Sequence, residues 1–215
     1  MQVDTTEGLG TSLALLDFED DERNTAMLVS THTTEYGITC LWPQFKYSPG
    51  FMEWRIPRHY HNGRIWPFVQ GYWAMAAAQY KQADLFAHEL KGLTALSEKG
   101  STFAEFYQLN GTFPEERRSQ LWSATGYISM IYNGVFGIRL DLNGIWFSPM
   151  KPKDLFDDST IHLNNIQYRD MILNIHLHGQ GTSIDSFELN QVKKSEPFIK
   201  SDETGVFDVD IHLIE

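Results

Sequence analysis

The chain has 215 residues, 42% of them hydrophobic, which is enough to build one large core or two small ones. Its formal net charge is −11, which argues against a nucleic-acid partner: the one local basic cluster, Arg55, Arg58 and Arg64, is interleaved with aromatics. No apolar run reaches the ~18 residues of a membrane span, no basic-then-apolar stretch marks a signal peptide, and the single cysteine, Cys40, excludes an intrachain disulfide, so the compartment stays open.

Leu9, Leu13, Leu15 and Leu16 form an apolar stripe that predicts a helix over 7–17. Asp20 or Asp21 caps a second helix carrying Ala26, Met27 and Val29. Residues 34–62 read as an irregular connection rich in Pro, Gly and aromatics, a length uncommon in compact domains unless it carries function. Trp66, Val69, Trp73, Ala76, Ala77 and Tyr80 recur at three and four, with Pro67 in the first turn where it is tolerated. After a break at Lys81 and Gln82, Leu85, Phe86, Leu90, Leu93 and Leu96 mark a return helix ended by Lys99 and Gly100. A loop then carries Glu105, and a last helix runs over about 121–135.

The texture changes after about Asn143. Met171, Leu173, Ile175 and Leu177 alternate with Ile172, Asn174, His176 and His178. Gly179 and Gly181 mark a turn, and Val206 to Leu213 form a final strand. The expected organisation is mainly α over 1–142, followed by a small antiparallel β-domain over 143–215.

Four segments carry candidate chemistry. The first is Phe103-Ala-Glu-Phe-Tyr107, followed by Asn110-Gly111 and Gln120-Leu-Trp-Ser-Ala124. It sets one carboxylate before a Gly turn and an aromatic-hydroxyl-small cluster after it. A carboxylate on such a loop can activate water; read alone, it is a solvated acid beside Glu98, Glu115 and Glu116. The second is Tyr60-His-Asn-Gly-Arg-Ile-Trp-Pro67, which packs hydrogen-bonding groups, a Gly and a rigid Trp at a helix entrance. That mixture suits a sugar ring and its hydroxyls. As structure alone, Asn62 is a cap, Gly63 a turn and Trp66 a core anchor. In the third, Trp122 offers a stacking face and Ser123 a means of positioning the Glu105 loop, or the pair simply opens a helix. The fourth runs from Thr34-Glu-Tyr-Gly37 to Leu41-Trp-Pro-Gln-Phe45, where Glu35 and Trp42 are candidates.

Asp4 and Glu7 read as an exposed helix start. His176 and His178 share a strand face, and His59 and His61 have the same spacing on a loop. Zinc needs three or four ligands, and no third is indicated, so no metal is expected.

The order of these parts resembles the last catalytic segment of glycoside hydrolases built on an (α/α)6 barrel, the group of glucoamylases, processing α-glucosidases and mannosylglycerate hydrolases. The string from His61 to Pro67 is similar to their His-Asn-Gly-x-x-Trp-Pro signature. The resemblance implies a partial (α/α)6 toroid of helical hairpins followed by a terminal β-sandwich. It implies that Glu105 is the general base of an inverting reaction on an α-gluco- or α-manno-type glycoside. Tyr60, His61, Asn62, Gly63, Trp66, Trp122, Trp42 and Glu35 would bind substrate, with no cofactor. In such enzymes the general acid lies far upstream, so this chain is expected to be a C-terminal part, inactive without the N-terminal half of the barrel. The alternatives are a fragment of an inverting glycoside phosphorylase, where phosphate replaces the activated water, and a non-catalytic carbohydrate-binding protein.

Overall fold

The computed structural model describes residues 5–18, 20–45 and 60–215. Asp4, Arg55, Arg58 and His59 lie outside the described residues. Two short helices open the chain. In α1 (Gly8–Asp17) the Glu7 carboxylate accepts from the N–H groups of Leu9 and Gly10, and in α2 (Asp21–Ser30) Asp20 accepts from Arg23 N. Each carboxylate answers amides that have no partner within the helix. Thr6–Glu7 (β1) pairs with Leu41–Trp42 (β2).

Helix α3 (Pro67–Gln79) starts on Pro67 and buries almost its whole surface. A turn through Lys81, at φ +54°, leads into the antiparallel return helix α4 (Ala83–Gly100), which ends on Ser101 in the left-handed conformation. Helix α5 (Leu121–Ser129) continues into a π-helical turn, Met130–Val135. It crosses α3 at two glycines: a Cβ on Gly71 would sit 2.8 Å from Gly126 Cα, so nothing larger fits without moving backbone.

The remainder is β-structure. Ile138–Leu140 (β3), Gly144–Phe147 (β4) and Phe198–Lys200 (β9) form a three-stranded sheet in the order β3-β4-β9. Ile161–Tyr168 (β5), Met171–Gly179 (β6), Ser183–Leu189 (β7), Val192–Lys194 (β8) and Gly205–Ile214 (β10) form a five-stranded sheet in the order β5-β6-β10-β7-β8. One face is fully apolar: Leu173, Ile175, Leu177, Val209 and Ile211 have no exposed surface. That face shares a single core with Phe86, Leu90 and Leu93 of α4 and with Ile145 and Phe147 of β4. A second core gathers Leu15, Leu28, Trp66, Trp73 and Phe106.

These observations overturn the mainly α expectation, and with it the partial (α/α)6 toroid followed by an antiparallel sandwich. Among the described residues there are five α-helices and three sheets, with about 35% of the chain helical and 30% strand. Strands β3, β4 and β9, at three or four residues, are too short for alternation to register. The large sheet is mixed, because β10 runs parallel to β6 and antiparallel to β7. A period of two is the same whichever way the neighbouring strand runs, so the sequence pattern carried no sign of it. Strand β3 precedes residue 142 and pairs with β4 beyond it, and the larger core runs unbroken from α4 to the sheet. No helix among the described residues is long and apolar enough to cross a membrane.

Candidate functional site

Glu105 sits on the loop between α4 and α5, 6% exposed. Its backbone N–H donates to Arg117 O at 2.8 Å. Arg117 Nη1 in turn donates to Glu105 Oε2 at 3.0 Å, so backbone and side chain tie the same two residues together. Tyr60 donates its hydroxyl to Glu105 Oε1 at 2.5 Å. The carboxylate is therefore gripped from two sides, in a fixed orientation. Burial raises the Tyr60 phenol pKa, the hydrogen bond and charge of Glu105 raise it further, and Arg117 opposes them. The phenol stays protonated and stays a donor.

Aromatic rings wall this carboxylate. Tyr60 meets Trp66 edge-on at 4.9 Å and Phe106 at 5.4 Å between centroids. Trp66 stacks on Phe106 at 5.6 Å and lies 5.8 Å from Trp122, which stacks on Phe68 at 5.3 Å. Trp66 itself is fully buried and held by its Nε1–H to Tyr60 O at 2.9 Å, whereas Trp122 is 46% exposed. A groove of about 350 Å³ runs from Trp122 along α3 and α5 past Phe68, Tyr72, Met75 and Asn133. The Glu105 loop is pinned to the segment before α3 by a reciprocal backbone bridge between Ile65 and Tyr107.

His61 is exposed, with its ring 4.7 Å from both Tyr60 and Trp66. Surrounding protein lowers its imidazole pKa by desolvation, against the pull of Glu105 and then Glu7. Glu7 thus acts on the same ring as Glu105. Asn62 is buried, and its amide is spent on both backbone groups of Phe45: Nδ2 donates to the carbonyl at 2.9 Å and Oδ1 accepts from the N–H at 2.8 Å. Gly63 takes φ +66° over the Gln44 side chain, where a Cβ would collide. These two residues shape the loop. Trp42 stacks on His32 at 4.3 Å, and Glu35 is exposed in the tight turn closed by Thr34 and Gly37. Neither is bonded to the Glu105 cluster.

The structure therefore gathers Glu105, Tyr60, His61, Trp66 and Trp122, and adds Arg117, Phe106 and Phe68. Arg117 lies in a run of four charges, Glu115 to Arg118, and nothing in that run singles it out. Among the described residues, no group of three or more His, Cys, Asp or Glu side chains is placed to hold a metal ion. Cys40 is buried, and desolvation, followed by the charge of Glu7, pushes its thiol up to about 12, which leaves it unreactive. Neither a scan against protein-family models nor a search of curated proteins returns a match for this chain.

Proposed function

We propose that the Glu105 cluster is the water-activating half of an inverting glycoside-hydrolase site, acting on an α-gluco- or α-manno-type glycoside. The observation that carries this reading is a nearly buried carboxylate fixed by Tyr60 and Arg117 at the edge of an aromatic wall. Inverting chemistry needs a carboxylate held rigidly where it can orient a water, with flat apolar rings to seat the sugar. Hydrolysis is favoured over phosphorolysis because the guanidinium that touches Glu105 among the described residues, that of Arg117, is already neutralised by it. On this reading the general acid comes from sequence beyond these 215 residues, as the resemblance implies, and the chain alone does not turn over glycosides.

Saturation-transfer NMR and tryptophan fluorescence with methyl α-glucoside and methyl α-mannoside test the reading. Weak binding of one sugar, lost in Trp122→Ala and weakened in Glu105→Gln, is expected. No binding of either sugar would overturn it. Binding indifferent to Glu105→Gln would point to a non-catalytic carbohydrate-binding protein instead. Sugar release by the purified chain that disappears in Glu105→Gln would show that the acid lies within it.

A further inference from the structure

The outward face of the five-stranded sheet gathers histidines from three adjacent strands. His162 of β5 is opposite His176 of β6, which is opposite Asp210 of β10; His178 of β6 is opposite His212 of β10. Asp210 Oδ1 lies 3.1 Å from His176 Nδ1 and 3.0 Å from His178 Nε2. An ionised carboxylate only accepts, so both of those ring nitrogens carry hydrogen.

That assignment decides which lone pairs are left. His178 is used at both nitrogens, since Thr160 Oγ1 meets its Nδ1 at 3.0 Å. His176 keeps the Nε2 lone pair. No described residue hydrogen-bonds either ring nitrogen of His162. The His162 and His176 rings are 4.9 Å apart at 71°. Two imidazoles bound to one tetrahedral ion, each through a metal–nitrogen bond of ~2.0–2.1 Å, have centroids roughly 5 Å apart. The His178 and His212 rings are instead nearly parallel, 14° apart at 4.4 Å, so their lone pairs do not converge.

We propose that His162 and His176 bind one divalent transition-metal ion of the Cu²⁺, Ni²⁺ or Zn²⁺ class. Asp210 is the positioning residue, in a carboxylate–histidine–metal arrangement, and water or an exogenous ligand fills the open positions. Two protein ligands are consistent with the lack of any three-ligand group among the described residues. The other charges on this face are Asp208 on β10, Glu188 on β7 and Lys193 on β8, which with Asp210 make a net negative surround for a cation. This site is independent of the glycosidase reading.

Isothermal titration of the whole chain with Ni²⁺ and Zn²⁺ at pH 7.5, and nitrogen hyperfine structure in the EPR spectrum with Cu²⁺, test it. One ion per chain is expected, with coupling from two imidazoles. His162→Ala, at an exposed position that leaves the core untouched, is expected to weaken binding at least about tenfold, and Asp210→Asn by about 10–100-fold. His212→Ala and His61→Ala are expected to leave the affinity unchanged. Absence of binding, or an affinity unmoved by His162→Ala in a variant whose melting temperature matches the parent, would overturn the proposal.

Discussion

Glu89 makes the folded protein sensitive to pH from the inside. It lies within α4 with no exposed surface. Its Oε2 accepts the Ile38 N–H at 3.1 Å, and its Oε1 has no partner among the described residues. Gln70, from the facing helix α3, donates Nε2 to Tyr36 O at 2.7 Å and to Glu89 O at 3.1 Å, which leaves Gln70 Oε1 without a partner too. Two buried oxygens therefore lack a donor among the described residues. Burial pushes the Glu89 carboxyl up to about 8, against smaller lowering effects from the Ile38 amide and Gln70. The folded chain holds it as a neutral acid at pH 7.

The sign of the linkage follows. Between the ordinary value of 4.5 and about 8, the folded state binds a proton that the unfolded state has lost. Stability is full below pH 4.5 and falls with rising pH until the folded carboxyl itself ionises, by about 1.4 kcal/mol per pH unit and about 4–5 kcal/mol across the window. Other groups titrate over the same range, so the informative quantity is the difference from Glu89→Gln, which keeps an acceptor for Ile38 and cannot ionise. Urea unfolding, followed by circular dichroism at half-unit steps from pH 5 to 9, measures both proteins. The stability of Glu89→Gln relative to the parent is expected to rise by about 1.4 kcal/mol per unit up to pH 8 and then level off. A difference independent of pH would refute a neutral Glu89.

Three further outcomes are expected. Arg117→Ala leaves the nearly buried Glu105 carboxylate without its counter-charge and should cost about 1–3 kcal/mol; most of that loss should vanish in a Glu105→Gln background, as a double-mutant cycle on urea midpoints would show. Gly126→Ala puts a Cβ 2.4 Å from Pro67 O, a backbone atom of α3's first turn, so thermal melts should show a loss of about 1–3 kcal/mol. Arg139 has a buried Nη2 with no partner among the described residues, and burial lowers its pKa. Arg139→Met should be neutral or stabilising by about 0–2 kcal/mol in the same assay.

The helical hairpin of α3 and α4 was legible because one wide apolar period, a first-turn Pro and a polar break all agree on it. The amphipathic stripe before residue 17 was less so: Leu15 is buried, but Leu13 is 45% exposed, because only a narrow side of α1 reaches α3. Strands β6 and β10 announced themselves by alternation, yet which strands neighbour them is set by long-range pairing that no local window contains. The same division runs through the site. Tyr60, Trp66, Glu105 and Trp122 come from two strings whose residue types already suggested sugar chemistry. Arg117 reaches Glu105 only because the chain doubles back through a 3-10 turn, Glu115–Arg117. Asn62 stood out as a polar residue in a telling string, but its amide is consumed by Phe45, a partner 17 residues away.

Whether Glu105 can hold a water depends on its two oxygens. An ionised carboxylate offers about four acceptor positions, and Tyr60 and Arg117 fill one on each oxygen. The two donors differ in how firmly they stay. Arg117 carries the counter-charge and is anchored by its own carbonyl to Glu105 N, whereas Tyr60 is a neutral phenol. Oε1 is therefore the oxygen whose present donor is the easier to displace, and the phenol occupies that position in the free protein. Tyr60→Phe separates two roles for this hydroxyl. If it holds the carboxylate and yields to ligand, the substitution costs about 1 kcal/mol of stability and leaves glycoside affinity equal or improved, since nothing has to be displaced. If the phenol instead bonds the sugar, affinity falls while stability barely moves. Saturation-transfer titrations alongside thermal melts of the same variant distinguish the two, and loss of sugar binding at unchanged stability would refute the displacement argument.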